Sequence, residues 1–183
     1  MKKTHLLLPA LLTLGLTACA PTEVTSSPDD KPAKAQKAQK AQETEAKVGD
    51  TITLKGNDEG MKVAVTVLKV AQKAKGKDEF SQPEQGQRFA AVQIRLKNVG
   101  TIAYDDSPGN GAKVVDAQDQ QYENYLGDVA LGPSIGSSVK LAPGSTRKGY
   151  LVFSVPKKAR LTKFQFTLDS GFAPQSGEWL LKQ

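Results

Sequence analysis

The side chains that could act as nucleophiles, general bases or zinc ligands are concentrated at the start of the chain. The 183 residues include one histidine, His5, and one cysteine, Cys19. A serine triad needs a histidine base, and structural zinc sites are built from cysteine and histidine. The sequence after Cys19 contains neither residue type. It therefore predicts no catalytic residues, no metal ion and no cofactor in the folded part of the protein.

One serine–lysine spacing is present. Ser137 and Lys140 satisfy S-x-x-K, the pattern of penicillin-interacting enzymes, in which the lysine follows the serine by one helical turn. That chemistry also needs S-D-N and K-T-G elements, which the chain lacks. We therefore do not interpret the pair as catalytic. The fourteen acids after residue 47 likewise single out no carboxylate pair suited to glycoside hydrolysis.

Oxygen-bearing side chains gather in the middle of the chain, where they could act as calcium ligands. They are Asp105, Asp106, Asn110, Asp116 and Asp119. Calcium takes about six to eight oxygen ligands, and the edge loops of a sandwich can supply them. The spacing does not fit an EF-hand loop, and aspartate and asparagine are also the residues that turns favour. Turn formation is the interpretation we prefer.

The first residues have the three parts of a bacterial export signal. Lys2 and Lys3 supply positive charge, and a mainly apolar stretch follows from Leu6 to Leu16. This stretch is shorter than the roughly 20 apolar residues that a membrane-spanning helix needs. Small residues then lead to the cysteine. The pattern is typical of a cleavable signal peptide and predicts export from the cytoplasm.

The residues around the cysteine resemble the bacterial lipobox, in which an aliphatic residue and two small ones precede a cysteine. Here the four residues are Leu16, Thr17, Ala18 and Cys19. The resemblance implies cleavage after residue 18, a diacylglyceryl group on the thiol, and room for a further acyl group on the new amino terminus. Stable anchoring needs about two acyl chains, because each buried methylene contributes about 0.8 kcal/mol. The membrane is then a partner through the lipid on Cys19, on the outer face of the cell membrane or the outer membrane.

The segment 19–47 has the composition of a flexible tether. Pro, Ser, Asp, Lys, Ala and Gln dominate it, and the triplet Lys-Ala-Gln occurs three times between residues 34 and 42. Its few apolar side chains cannot offset the entropy lost on ordering, so we expect disorder. A coil of this length spans roughly 30 Å. The predicted organisation is a signal peptide (1–18), a lipidated tether (19–47) and one folded domain (48–183).

Residues 48–183 alternate between apolar and polar side chains with the two-residue period of β-strands. The predicted strands are 51–54, 61–70, 90–96, 113–116, 151–155, 164–168 and 178–182. A change of phase at Leu68 indicates a β-bulge, and Pro143-Gly144 suits a type II turn. Seven or so short strands predict an all-β, antiparallel, immunoglobulin-like β-sandwich, with a small β-barrel as the alternative. We expect Trp179 to pack in the core or at the sheet edge, since two leucines follow it.

Two stretches of this domain resemble a known domain family. One is Pro-Glu-Gln-Gly-Gln-Arg-Phe (83–89), with the strand that ends in Lys-Asn-Val-Gly (97–100); the other is Leu-Ala-Pro-Gly (141–144) with 149–156 behind it. Both are similar to an immunoglobulin-like family of unknown function, found on exported and lipid-anchored bacterial proteins and grouped with the immunoprotective extracellular protein of mycobacteria. The resemblance covers nearly all of 48–183 and implies no catalytic residues. Ala90 and Ala91 depart from it, because the family has bulkier β-branched side chains there.

Basic residues slightly outnumber acids in the folded domain, with 18 Lys and Arg against 14 Asp and Glu. The densest cluster is Lys157, Lys158, Arg160 and Lys163, and a hairpin would place Arg147 and Lys148 beside it. We favour a solvated face with edge-protecting lysines; the alternative is contact with an anionic lipid or envelope polymer. Nucleic acid is not expected as a partner, because the charge is modest and aromatics are not interleaved with the basic residues.

A long Gly-rich loop from 126 to 138 is the segment in which we expect a binding site, because long irregular loops are often functional. The candidate residues are Tyr122, Tyr125, Asp128 and Ile135. The expected function is a non-catalytic envelope module that binds a protein or an envelope polymer. The alternative is a structural or stress-related envelope lipoprotein without a specific ligand, and an enzyme is the least favoured class.

Overall fold

A computed structural model describes residues 24–25 and 46–181, which consist mostly of strands and the turns between them. The strands are β1 (Val24–Thr25), β2 (Ala46–Lys47), β3 (Thr51–Lys55), β4 (Lys62–Ala74), β5 (Gln87–Asn98), β6 (Tyr104–Asp106), β7 (Ala112–Asp116), β8 (Gln121–Tyr125), β9 (Val139–Leu141), β10 (Thr146–Pro156), β11 (Leu161–Thr167) and β12 (Ser176–Leu180). The described residues include one short 3-10 helix, Asp169–Gly171. None of the described elements is a helix with the length and hydropathy to cross a bilayer.

The strands form a β-sandwich whose two layers are joined through one strand. One layer has the order β1-β3-β4-β5-β10-β8, and the other has the order β8-β7-β11-β12-β2. β8 belongs to both, because Asn124 and Tyr125 pair with β10 whereas residues 121–123 pair with β7. The named strands pair antiparallel except β2 with β12, and a small separate sheet contains β6 and β9. The predicted antiparallel β-sandwich is confirmed, with a continuous ladder that makes it nearly barrel-like.

The strands predicted from alternation are all present as β3, β4, β5, β7, β10, β11 and β12. The predicted bulge is present too, because the β4–β5 register shifts between Val67 and Lys69 and leaves Leu68 as the extra residue. Gly144 has a φ of +82°, as a type II turn requires at that position. β1 and β2 fall inside the segment predicted as a tether, so the sheet includes residues before 48. Cys19 and the remainder of the predicted signal peptide and tether lie outside the described residues.

Aromatic side chains from both layers fill the core. The ring of Phe164 on β11 lies 5.7 Å from that of Trp179 and 6.3 Å from that of Phe153 in the facing layer, measured between centroids. Trp179 is fully buried, as predicted. Its indole N–H donates to the backbone oxygen of Asp50 at 3.1 Å. This bond ties β12 to the start of β3, so the two layers are also linked at the edge away from β8.

A second, smaller apolar cluster lies on the outer face of β5 and β10. Its members are Phe89, Ala91, Tyr150 and Val152 from the two strands and Val129 from the long loop. Strands that are covered on both faces carry apolar side chains at successive positions rather than alternate ones. Ala91 faces this cluster while its neighbour Ala90 faces the main core. The loop in which we expect a binding site is therefore laid over a buried sheet face.

Candidate functional site

Two loops meet above that outer face. They are the 75–86 connection between β4 and β5, and the 126–138 loop that follows β8. The backbone N–H of Lys77 donates to the backbone oxygen of Asp128 at 3.1 Å, and the backbone N–H of Ala130 donates to the backbone oxygen of Lys75 at 3.0 Å. Gly76 and Val129 form an isolated β-bridge between these two bonds. The long loop is thus fixed in place by its backbone, although it contains no regular strand.

β10 holds the second half of the long loop. The backbone N–H of Ile135 donates to the backbone oxygen of Tyr150, and the backbone N–H of Tyr150 donates to the backbone oxygen of Pro133, both at 3.0 Å. This approach requires a glycine at position 149, because a Cβ there would lie 2.4 Å from the backbone of Ile135. Ile135 itself is 1% exposed and belongs to the main core. Its side chain therefore anchors the loop and is not presented to a ligand.

A pocket of about 360 Å³ lies between the long loop, β8, β10 and the turn at residues 109–110, with Ser81 of the other loop also lining it, and we call it the loop pocket. Tyr125, Asp128 and Ile135 all line it. The Tyr125 ring lies 5.1 Å from that of Phe89, which holds the tyrosine against the sheet while 41% of it stays exposed. The Asp128 carboxylate lies 3.5 Å from the ammonium of Lys77 on the neighbouring loop. The structure thus brings three of the four candidate residues together.

Tyr122 lies outside the loop pocket and supports the β7–β8 turn. Its hydroxyl donates to Asp116 Oδ2 at 2.8 Å, and Asp116 Oδ1 accepts the N–H groups of Gln118 and Gln120 at 2.8 and 3.0 Å. Desolvation raises the pKa of the Asp116 carboxyl, but these three hydrogen bonds, led by that of Tyr122, outweigh it and hold the pKa below its ordinary value. Burial and the same bond raise the pKa of Tyr122.

Exposed apolar side chains are concentrated on the segments next to the loop pocket, where Tyr125 and Leu126 line it and Phe80 directly precedes the lining residue Ser81. In the described part of the chain, seven large apolar residues are exposed, and four of them lie on the two loops or at the end of β8. These four are Phe80 (90% exposed), Leu126 (83%), Leu131 (47%) and Tyr125 (41%). Sequence reasoning missed three of them. Each of the three could have been recognised as a large apolar side chain in a polar or Gly-rich stretch that does not follow the apolar–polar alternation of a strand.

The six basic residues grouped from the sequence do not form one patch. They are Arg147, Lys148, Lys157, Lys158, Arg160 and Lys163. The expected hairpin is absent, because β10 pairs with β5 and β8 whereas β11 pairs with β7 and β12 in the other layer. Arg147 and Lys148 begin β10 and Lys157 follows its end, which separates them by about 30 Å along an extended strand. Lys163 is paired with Glu178 at 3.4 Å. Lys157 and Arg160 instead line a separate cleft at the end of the sandwich.

The acids considered as calcium ligands take part in turns and ion pairs. Asp105 lies 2.9 Å from the ammonium of Lys140 on β9, which is the lysine of the S-x-x-K spacing. Asp106 accepts the N–H of Ser107 and the hydroxyl of Ser170, both at 2.7 Å. Among residues 46–181, no three His, Cys, Asp or Glu side chains gather where they could hold a metal ion.

Comparison with protein families covers most of the described chain. A family model described as a domain of unknown function, DUF4352, matches residues 46–175. The chain belongs to this family. The DUF4352 match contains both loops around the loop pocket and ends just before β12. No curated protein sequence matches the chain.

Three solved structures share the fold of this DUF4352 domain at low sequence identity. The secreted protein MPT63 of Mycobacterium tuberculosis is 11% identical, with a TM-score of 0.56 over 77% of this chain and 99% of that one. The YjhA protein of Bacillus subtilis is 15% identical, with a TM-score of 0.53 over 75% and 99%. YcdA, a candidate lipoprotein of Bacillus subtilis, is 16% identical, with a TM-score of 0.51 over 69% of this chain but 39% of that one. At these identities the likeness shows the fold alone.

Proposed function

We propose that this protein is an exported, lipid-anchored lipoprotein of the cell envelope whose β-sandwich binds a partner protein through the loop pocket and catalyses no reaction. The observation that carries the proposal is that four exposed large apolar side chains lie on the two loops and the strand end next to one pocket, which two of them line. Backbone hydrogen bonds fix these loops to each other and to the sheet.

The sequence supports the extracytoplasmic location. A basic start, an apolar stretch and the lipobox-like residues before Cys19 are what an anchored exported protein needs. Two of the proteins with the same fold are described as a secreted protein and a candidate lipoprotein. A lipid on Cys19 would attach the domain to the outer face of a membrane, and the segment before residue 46 would separate the two.

The loop pocket has the features of a protein-binding surface. Contiguous exposed apolar groups mark interaction sites when they are rimmed by polar residues, and the ion pair of Asp128 with Lys77 provides such a rim. Tyrosine is enriched among the residues that dominate binding energy, and Tyr125 is held by its contact with Phe89. Because the loops are already ordered by the sheet beneath them, binding costs less conformational entropy than it would with free loops.

Photo-crosslinking in the native cell tests this surface. A photoreactive residue replaces Leu126, Phe80 or, as the control, Val48, which is 36% exposed. Val48 joins β2 to β3 at the edge of the sandwich opposite β8 and lines no part of the loop pocket. We expect the same discrete protein adduct from positions 126 and 80 and none from 48.

Three outcomes would contradict the proposal. Absence of any adduct would favour a lipoprotein without a specific ligand. Equal adducts at all three positions would indicate nonspecific contact. A heterogeneous polymer adduct at position 126 would replace the partner protein with an envelope polymer.

A further inference from the structure

A cleft of about 770 Å³ lies at the end of the sandwich where β4 and β12 end and β5 and β11 begin, and we call it the basic cleft. Its lining residues come from both layers. Those that carry the argument are Lys73, Arg88, Lys157 and Arg160 around the cleft and Leu161, Leu180 and Leu181 at its base. Gln72 fixes this arrangement, because its side-chain amide donates to the oxygen of Leu161 at 2.8 Å and accepts the N–H of the same residue at 3.2 Å.

Arg88 is the central cation and lacks a counter-charge. Its Nη2 donates to the backbone oxygen of Ala159 at 2.6 Å and approaches Gln72 Oε1 at 3.4 Å. Its Nη1 is buried and has no hydrogen-bond partner among the described residues. Burial lowers the pKa of Arg88, yet a guanidinium remains charged at any physiological pH. A partly buried cation without an anion is unfavourable, so a bound anion would stabilise this site.

The other cations of the basic cleft are unpaired as well. Lys73, Lys157 and Arg160 take part in none of the ion pairs found in the described residues, and none of the carboxylates in that part of the chain lines the cleft. Among the described residues, acidic partners are found for Lys77, Lys113, Lys140 and Lys163, which lie elsewhere in the domain. The cleft therefore gathers four cations, and none of them has an acidic partner within residues 46–181.

The base of the basic cleft is apolar. Leu161 and Leu181 are buried there, and Leu180 and the methyl group of Ala159 are half-buried beside them. A hydrated inorganic anion would gain nothing from these groups, whereas an alkyl chain would bury its own methylenes against the half-buried Leu180 and Ala159. A long polyanion would need a continuous basic track, but Arg147 and Lys148 lie about 30 Å away at the other end of β10.

We propose that the basic cleft binds an anionic amphiphile, a molecule in which one phosphate or carboxylate group is joined to an alkyl chain. The anion lies against Arg88, Lys157 and Arg160, and the chain lies over Leu161, Leu180 and Leu181. The site is separate from the loop pocket, because no residue lines both.

Decyl phosphate is the probe, and the fluorescence of Trp179 is the readout. Trp179 is the one tryptophan of the chain and directly precedes Leu180 and Leu181. The protein is the full lipidated chain, purified from membranes in neutral decyl maltoside micelles. We expect a saturable change with decyl phosphate and none with inorganic phosphate. The variant Lys157→Ala/Arg160→Ala should weaken the apparent affinity about tenfold, while Arg147→Ala/Lys148→Ala, with the same loss of charge, should bind as the wild type does.

A second arm distinguishes the sources of the ligand. The full chain is placed in phosphatidylcholine vesicles with or without phosphatidylglycerol. A Lys157- and Arg160-dependent change with phosphatidylglycerol would assign the ligand to the membrane, whereas the same dependence with decyl phosphate alone would assign it to a soluble amphiphile; both support the proposal. Equal weakening by the two double variants, an equal response to inorganic phosphate, or no response in either arm would overturn it.

Discussion

At the scale of the residue, Asn98 shows how one polar side chain joins three segments. It is fully buried, its amide donates to the oxygens of Ile102 and Leu141 at 2.8 and 2.9 Å, and its side-chain oxygen accepts the N–H of Gly100 at 2.9 Å. It thereby ties the end of β5 to the following turn and to β9. The sequence places this position at the end of a strand, but the alternation of apolar residues gives no sign that a buried amide is needed there.

We predict that Asn98→Ala lowers the free energy of unfolding by about 2–4 kcal/mol, because it leaves two buried carbonyls and one N–H without partners. Urea denaturation followed by Trp179 fluorescence measures the change. Asn110→Ala, at an exposed position, is the control and should stay within about 0.5 kcal/mol of the wild type. A loss at Asn98 no larger than that of the control would show that water replaces the three bonds without cost.

The hydrogen bond between Asp116 and Tyr122 makes the stability of the domain depend on pH, and the direction of this dependence follows from the pKa of Asp116. Because the pKa of Asp116 is lowered in the folded protein, its carboxylate stabilises the fold at pH values above the ordinary pKa of a carboxyl group. That contribution is lost as the pH falls through the lowered pKa. We predict that Tyr122→Phe, which removes the leading hydrogen bond, makes the thermal midpoint less dependent on pH below about 4.

The matched control is Tyr125→Phe, since no hydrogen bond joins the Tyr125 hydroxyl to a carboxylate among the described residues. Its thermal midpoint should follow the wild-type pH profile. Identical profiles for the wild type and Tyr122→Phe would mean that the hydrogen bond does not contribute to the acid sensitivity of the fold.

At the scale of the element, alternation predicted seven strands because one face of each packs in the main core, and in most of them the other face is solvated. It missed β8, because the residues of this strand are exposed or half-buried. β8 is the strand that joins the two layers. Alternation also left unexplained why the outward-facing positions of β5 and β10 carry the apolar residues Phe89, Ala91, Tyr150 and Val152. Consecutive apolar residues in β5 and β10 were the available signal that a loop covers this sheet face.

The docking of the long loop depends on Gly149, and this can be tested directly. We predict that Gly149→Ala displaces residues 133–135 from β10 and destabilises the domain by about 1–3 kcal/mol, as other overpacking substitutions do. Hydrogen exchange should then accelerate at the Ile135 amide and remain slow in the β4–β5 ladder. Lys148→Ala, at the neighbouring exposed position, is the control. Unchanged protection at Ile135 would show that the loop tolerates a Cβ at this contact.

The two candidate sites differ in how far the sequence could predict them. The loop pocket was partly predictable, because the 126–138 loop is long and irregular, and Tyr125 and Asp128 belong to it or adjoin it. Phe80 could not be placed there, since its loop follows a different strand and only the backbone pairing of Lys75 and Lys77 brings the loops together. The basic cleft combines residues of β4, β5, β12 and the β10–β11 turn, so it arises only from the closure of the sandwich.

At the scale of the whole molecule, the fold presents two chemically different surfaces. The loop pocket lies on an outer sheet face and includes the exposed apolar side chains of Tyr125 and Leu126 in its lining, whereas the basic cleft lies at one end of the sandwich and combines unpaired cations with leucines. Neither depends on a disulfide within the domain, since the one cysteine precedes it, and the core packs through aromatic rings. Such an arrangement suits the role proposed above, that of a module displayed outside the cell that binds through its surface.

Intact-mass spectrometry of the protein purified from membranes tests this display most directly, with Cys19→Ala as the control. We predict a chain that begins at Cys19 and carries the added mass of a diacylglyceryl group, both of which are lost in the control. Such a chain would place the sandwich on the outer face of a membrane, where the loop pocket can meet its partner. A chain that retains residues 1–18, or one that lacks lipid, would contradict the account of an anchored envelope protein.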